Sequence, residues 1–168
     1  MSKITLLANS STLYMGFENR NQDKYGPYVY KGTFSNTYDL TFNKGGIFGK
    51  PIKEGPMAAH ISLTVSNSIL YAAFDDREKA SNAQVHVYKL DGDHWLLHGE
   101  NQLPYFSSAF YKANKYYLRG YSPMLATDNN GSIYVSMSTL ESAYDETHTV
   151  KNNGPLVMKY VADNWEIK

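Results

Sequence analysis

The stretch Leu70-Tyr71-Ala72-Ala73-Phe74 occurs in three versions along this chain. Its pattern is a branched apolar residue, then Tyr, an apolar residue, a small residue and a large apolar residue. The other two versions are Leu13-Tyr14-Met15-Gly16-Phe17 and Ile133-Tyr134-Val135-Ser136-Met137. A unit that recurs at intervals of about 60 residues indicates a repeat architecture.

Further elements recur in register with this pattern. Each copy is followed by a segment that ends in Lys: Val29-Tyr30-Lys31, Val87-Tyr88-Lys89 and Val157-Met158-Lys159. An aromatic residue comes six or seven positions after each Lys: Tyr38, Trp95 and Trp165. An apolar residue comes eight positions before each Tyr of the pattern: Leu6, Leu63 and Ala126. Repeats of roughly 40–60 residues with four strands each predict β-propeller blades.

The sequence therefore predicts an all-β chain of three four-stranded antiparallel blades in a single domain, residues 1–168. The blades cover about 3–43, 58–99 and 123–168. An aromatic insertion, 103–121, separates the second blade from the third, and we expect a short helical turn within 105–121. Clusters of Gly, Asn, Asp and Ser fall where the predicted strands end, as expected of turns.

Three blades do not close a propeller, which has typically four to eight. Their outer edges and faces would stay uncovered, and such edges recruit other chains. We expect two copies of the chain to pair about a two-fold axis and close a six-bladed ring as a homodimer. The competing interpretation is a fragment of a longer propeller.

Composition excludes several classes of function. Lys plus Arg and Asp plus Glu both number 16, so the formal net charge is zero, which argues against a nucleic-acid partner. Because there is no Cys, disulfides, thiol catalysis and Cys-based zinc sites are excluded. No apolar run approaches the ~20 residues of a membrane span, and no secretory signal is recognisable. We expect a cytoplasmic protein, released only by lysis or a non-classical route, with no cofactor and no metal.

The repeats resemble a widespread bacterial β-propeller repeat with Tyr-Val-Ala-Tyr, Val-x-Lys-Tyr and Gly-x-x-Trp strands. The resemblance rests on 125–135, 87–99 and 157–165, whereas the first blade has Tyr38 in place of Trp. It implies a propeller fold and no catalytic residues. In assembly the chain is similar to small propeller lectins, and 90–95 is similar to their Trp-Asp-Gly-x-Gly-Trp turn. Leu90 replaces the leading Trp, so fucose specificity is not implied.

Two blades end their second strand with an acid, one residue and Arg. The pairs are Glu18 with Arg20 and Asp75 with Arg77, and the third blade has Ser138-Thr139-Leu140 instead. An acid and an Arg at a strand end could bind a polyol through bidentate hydrogen bonds. The alternative, which we favour, is an ion pair between blades or a solvated loop.

The insertion supplies the other candidate ligand-binding residues, Tyr111, Tyr117 and Arg119. Their aromatic rings could stack on sugars, but Tyr and Arg are also enriched in protein interfaces, and we favour an interface or packing role. The loop 139–153 holds Glu141, Asp145, Glu146 and His148 in no recognisable metal-ligand spacing, and Asp128-Asn129-Asn130-Gly131 is explained as a β-turn.

No motif for nucleophilic, nucleotide-dependent or zinc-dependent catalysis is present. The leading hypothesis is a non-enzymatic, lectin-like protein that binds carbohydrate as a multivalent ring, with Tyr stacking and Asp/Arg hydrogen bonds. One alternative is a protein-interaction scaffold or toxin-associated module with a protein ligand. The second is a glycoside hydrolase of sialidase-like type that would depend on Asp75 or Asp76. Adjacent residues of a strand point to opposite faces, so these two are poor partners for one site.

Overall fold

A computed structural model describes residues 4–19, 26–34, 40–42, 52, 58–76, 84–92, 94–99, 116–143 and 150–168. These residues form three antiparallel sheets of four strands each. The first sheet contains β1 (Thr5–Asn9), β2 (Thr12–Asn19), β3 (Gly26–Phe34) and β4 (Leu40–Phe42). The second contains β5 (Ala58–Ser66), β6 (Ile69–Asp76), β7 (Gln84–Asp91) and β8 (His94–Leu97). The third contains β9 (Tyr116–Thr127), β10 (Ile133–Ala143), β11 (Val150–Val161) and β12 (Asn164–Ile167).

Each sheet keeps its strands in chain order, and the part of the chain described contains no helix. The first sheet contacts the second, mainly through β2 and β5, and the second contacts the third, mainly through β5 and β9. The prediction of an all-β chain with three four-stranded sheets is confirmed. The three sheets are separate and do not form a closed ring.

Short turns join the strands where the sequence predicted them. Asn67 and Ser68 both have positive φ, 49° and 64°, as do Ala162 and Asp163, 46° and 66°. Two successive residues with positive φ make a turn whose twist matches that of the strands it joins.

The turn at Asp128 is longer. One oxygen of the Asp128 carboxylate, Oδ1, accepts hydrogen bonds from the backbone N–H groups of Asn130 (2.9 Å) and Ser132 (2.8 Å). These bonds, above all the one from Ser132, lower the pKa of Asp128, because they favour its charged form. The turn predicted at 128–131 is confirmed.

This longer turn shifts the equivalence between repeats by one residue. Leu6 lies opposite Met15 and Leu63 lies opposite Ala72, but in the third sheet Leu125 is the residue opposite Val135. The second sheet closes its turn between Ser66 and Ile69, whereas the third closes between Thr127 and Ile133. Counting eight residues back to Ala126 was therefore wrong. The equivalent of Leu6 and Leu63 is Leu125.

The helical turn expected within 105–121 is also wrong where the structure describes it. Residues 116–121 belong to β9, which begins at Tyr116 and pairs with β10 as far as Ala143. The pairing supplies backbone hydrogen bonds that a helical turn would have supplied locally. The remainder of the insertion lies outside the described residues.

The core lies on both faces of the second sheet. We call the face of a sheet turned toward the next sheet in chain order its forward face, and the opposite one its backward face. The backward face of the second sheet packs against Leu7, Tyr14 and Val29 of the first sheet. Its buried residues are Ile61, Leu63, Leu70, Ala72 and Phe74. The forward face contributes Tyr71, Ala73, Val85 and Val87. These residues pack against the third sheet, on Ile133, Val135, Met137, Met158 and Trp165.

Hydroxyl groups connect the first strands of the three sheets. The Thr5 hydroxyl donates to the carbonyl oxygen of Ile61, and the Ser62 hydroxyl oxygen accepts from the backbone N–H of Leu125 at 2.9 Å. Ser66 donates to the carbonyl oxygen of Gly131 at 2.7 Å. Ser66 lies after Ser62 in β5, and Gly131, in the turn after β9, lies after Leu125, so β5 and β9 run side by side in the same direction.

A cluster of packed aromatic side chains connects the outer parts of the second and third sheets. Trp165 Nε1 donates to the carbonyl oxygen of His98 at 3.0 Å, and the His98 ring centroid lies 3.8 Å from that of Tyr160. The buried Nε2 of His98 has no hydrogen-bond partner within the described ranges. A Cβ placed on Gly99, where φ is +96°, would lie 2.7 Å from Trp165 Nε1.

We predict that Gly99→Ala lowers the free energy of unfolding by about 2–4 kcal/mol, because it combines positive-φ strain with overpacking against a rigid indole. Gly92→Ala is the matched control: φ is +57°, but nothing lies within 4 Å of the added Cβ. Gly92→Ala should lower the free energy of unfolding only through the positive-φ backbone strain, by about 1–2 kcal/mol. Urea unfolding of the two variants measures the difference, and equal losses would contradict the close packing at Gly99.

His98 should make the fold sensitive to acid. Burial lowers its pKa from 6.5 to about 4, reinforced by Lys89 and opposed by Asp163. Because the folded state favours the neutral imidazole, this stability is complete above pH 6.5 and is lost as the pH falls toward 4. The loss amounts to about 3 kcal/mol. His98→Phe should remove this component from unfolding curves measured between pH 7 and 4, while His94→Gln, an exposed control in β8, should keep it.

Candidate functional site

The connections between strands divide the array into two edges. At one edge lie short turns such as 10–11 and 67–68. At the other, the strands are joined through 20–25, 77–83 and 144–149. We call this second edge the long-loop edge. It is where β2, β6 and β10 end and where β5 and β9 begin. Long connections on a rigid scaffold are where binding and catalytic residues concentrate.

A histidine–aspartate pair lies at the long-loop edge. His60, near the start of β5, places Nδ1 3.1 Å and 3.2 Å from the two carboxylate oxygens of Asp75, near the end of β6. A carboxylate can only accept, so Nδ1 of His60 is the donor. In the neutral ring, Nε2 is then the accepting nitrogen, which is the arrangement used when a histidine takes up a proton.

Burial makes the two members of the pair unequal. The Asp75 side chain is 0% exposed, whereas that of His60 is 31% exposed. Asp75 follows Tyr71 and Ala73 at alternate positions of β6, so its side chain leaves the forward face, between the second and third sheets. A carboxylate buried there needs polar partners, and His60 is one of them.

The backbone at His60 is irregular. The register of β5 against β6 shifts between Ala59 and Ser62, and His60 has φ of +53°. A positive φ is unfavourable for a residue with a side chain, and β-bulges are over-represented beside active sites. Continued without a bulge, the register in which Ser62 lies opposite Ala73 would place His60 opposite Asp75. The bulge moves Ala59 to that position and leaves His60 in contact with Asp75 from within the bulge.

Glu18 is the counterpart of Asp75 in the first sheet. It ends the same five-residue pattern, it is buried, and it follows Gly16, whose face is turned toward Ile61 and Leu63 of the second sheet. The corresponding residue of the third sheet, Ser138, is exposed. Among the residues whose burial is described, the first two sheets thus each place a buried acid near the long-loop edge, and the third has the exposed Ser138 at the equivalent position.

The other residues predicted to bind ligand have different outcomes. Arg20, Arg77 and Tyr111 lie outside the described residues. Tyr117 lies opposite Ser142 and Arg119 opposite Leu140, in the part of β9 that begins at the long-loop edge. Backbone pairing therefore brings these two positions to the same edge as Glu18 and Asp75, while the acid-and-Arg pairs themselves stay predictions.

Sequence reasoning missed His60. The signal was available, since a regular hairpin with a turn at 67–68, in which Ser66 lies opposite Ile69, places His60 opposite Asp75. The bulge that instead places Ala59 opposite Asp75 carries no sequence signature of its own.

The described part of the chain lacks two further features, a metal-binding cluster and a membrane-spanning helix. None of its His, Asp and Glu side chains forms a group of three or more that could hold a metal ion. None of its segments is a helix of the length and apolarity needed to cross a membrane.

Comparison by sequence finds nothing: no protein-family model and no curated protein matches the chain. Comparison by structure finds β-propeller glycoside hydrolases. A thermostable family-43 glycoside hydrolase matches 98% of this chain with a TM-score of 0.54 and 13% identity. An α-L-arabinofuranosidase from Lactobacillus brevis matches 98% with a TM-score of 0.58 and 10% identity. Another, from Clostridium thermocellum, matches 99% with a TM-score of 0.50 and 10% identity.

At these identities the likeness establishes only the fold of the three sheets, which is propeller-like. The chain spans only about half of each neighbour, 53%, 54% and 53% of their lengths.

The neighbours also correct the functional prediction. A non-enzymatic, lectin-like protein was expected, and that prediction is wrong: the proteins that share the fold are glycoside hydrolases, which are enzymes. The physical reason for the error is that repeat patterns encode sheet packing and say little about chemistry.

Proposed function

We propose that this chain contributes the catalytic edge of a glycoside hydrolase. The observation that carries the proposal is the buried Asp75, paired with the partly exposed His60 at the long-loop edge of a fold shared with glycoside hydrolases. Glycoside hydrolysis needs one group that protonates the departing oxygen and a second that activates water or attacks the sugar.

The roles follow from exposure and position. His60 is the group that reaches solvent, and its Nε2 takes a proton from the attacking water. Asp75 is a positioning residue: it does not touch substrate but holds the ring of His60 through Nδ1. Glu18, the counterpart acid of the neighbouring sheet, protonates the departing oxygen.

The substrate class is a glycan. The arabinofuranosidases among the structural neighbours make an α-L-arabinofuranoside the first substrate to test. A sialoside is a second, because a sialidase-like hydrolase was one of the alternatives that the sequence left open. Tyr117 and Arg119, in the part of β9 that begins at this edge, are candidates for substrate contact.

We predict that the chain hydrolyses at least one 4-nitrophenyl glycoside from a panel of arabinofuranosides, xylosides and sialosides. Glu18→Gln and His60→Gln should each lower kcat by about 100-fold or more, as expected for loss of a proton-transfer group. Asp75→Asn should lower kcat with KM unchanged, because it acts through His60. Release of 4-nitrophenol measures all three.

Ser138→Ala is the matched control, since it changes the equivalent position in the third sheet and should leave kcat unchanged. Circular dichroism and melting curves identify any variant that fails to fold. A folded wild-type protein that cleaves no member of the panel would contradict the proposal, and so would an Asp75→Asn protein with unchanged kcat.

We also propose that a second copy of the chain completes the propeller, so that a homodimer carries six blades. Three sheets fall short of the number that closes a ring, and this chain spans about half the length of its neighbours. A two-fold pairing would cover both uncovered faces with a single kind of junction.

The expected mass in solution is twice the chain mass of 19.0 kDa. Sedimentation equilibrium at micromolar concentration measures it directly. A folded monomer under these conditions would exclude closure by a second copy and would leave the missing sheets to other segments or partners.

A further inference from the structure

Leu6 and its equivalents differ sharply in exposure. Leu63 is 7% exposed because the first sheet packs on it, whereas Leu6, at the matching position opposite Met15, is 61% exposed. Ile4, two residues earlier on the same face, is 62% exposed. The backward face of the first sheet therefore keeps the apolar character of an internal junction, but neither of the other two described sheets covers it.

The forward face of the third sheet is its complement. Met124 is 68% exposed and Val157 is 39% exposed. By register Met124, opposite Ser136, is the counterpart of Ser62, opposite Ala73, which lies in the junction with the next sheet. The third sheet thus also has a junction face that neither of the other two described sheets covers.

The chemistry of this face differs from that of the two internal junctions. In those junctions the equivalent positions are Thr5 and Ser62, whose hydroxyl groups hydrogen-bond to the first strand of the next sheet. Met124 has no hydroxyl and presents an apolar thioether side chain instead. Beside it, the ring of Tyr134 lies under the ammonium group of Lys159, at 5.2 Å from Nζ to the ring centroid.

We infer that the first sheet of one copy packs on the third sheet of a second copy, with Ile4 and Leu6 set against Met124 and Val157. This rests on the proposed homodimer and specifies its contact. One chain carries both halves of the junction, a backward face and a forward face that follow the pattern of the two internal junctions. The zero net charge adds no repulsion between copies. Two such contacts related by a two-fold axis close the ring.

The closing junction depends on apolar contact without the hydroxyl hydrogen bonds of the internal ones. It is therefore the junction at which the ring separates. Met124→Glu should shift the dimer to monomer at micromolar concentration, because it places a charge in an apolar contact. Because the Met124 side chain is exposed in the single chain, Met124→Glu should leave the monomer folded. Leu96→Glu, an exposed apolar position of β8 in the second sheet, is the matched control and should keep the dimer.

Cross-linking tests which faces meet, and the absence of Cys from the chain makes introduced thiols unique. Leu6→Cys and Met124→Cys proteins, one of them mass-tagged, are mixed, allowed to exchange subunits and treated with a short bismaleimide. We expect the mixed Leu6→Cys/Met124→Cys product to predominate over either self-linked product. Leu96→Cys, in place of either partner, should give little product.

Three results would overturn the inference. Predominant linkage of Leu6→Cys to itself would mean that the first sheets of the two copies meet each other. A stable dimer with no linkage would place the contact on another surface, and the homodimer would stand without this pairing. A monomeric wild-type protein would remove the homodimer itself, whereas the hydrolase proposal depends on the activity measurement alone.

Discussion

The second sheet is apolar on both faces, and the rest of the fold depends on covering them. Ala72 and Phe74 of β6 are buried against the first sheet, while Ala73, between them, is buried against the third. Each fully buried large side chain contributes about 1.5–3 kcal/mol relative to exposure. A sheet of this kind cannot persist alone in water, so its two neighbours are a condition of its folding. The same requirement, applied to the first and third sheets, leaves one apolar face of each uncovered.

The sequence predicted the sheets well because strands and turns are encoded by short local patterns. Alternation along 13–17, 70–74 and 133–137 defines which face each residue occupies, and the turn residues separate the strands. It failed where geometry departs from the repeat. The turn after Thr127 is longer than its counterparts, so counting back selected Ala126 rather than Leu125. A helical turn was expected near 116–121 because nothing local indicates a strand there. The strand forms by pairing with 138–143 of β10, which follow only after the next turn.

The site was predictable only in part. Asp75 and Glu18 were identified because they recur at the end of the same pattern. His60 was not, because the five His residues show no catalytic motif in the sequence, although the regular register of the hairpin at 67–68 places His60 opposite Asp75. The bulge and the positive φ at His60 could not be predicted, since tertiary structure imposes them on a residue without a sequence preference for them. The expectation of a lectin failed for a related reason. Repeats report packing, while activity depends on a few side chains whose juxtaposition only the folded chain reveals.

Native-state hydrogen exchange tests the dependence on the second sheet most directly. We expect the backbone amides of Ala72, Ala73 and Phe74 to exchange slowest, with a free energy of opening equal to that of global unfolding, because uncovering either face exposes the core. Amides of β1 and β12 should exchange through smaller openings. If the amides of β6 exchange no more slowly than those of β1 and β12, the second sheet is not the element on which the fold depends.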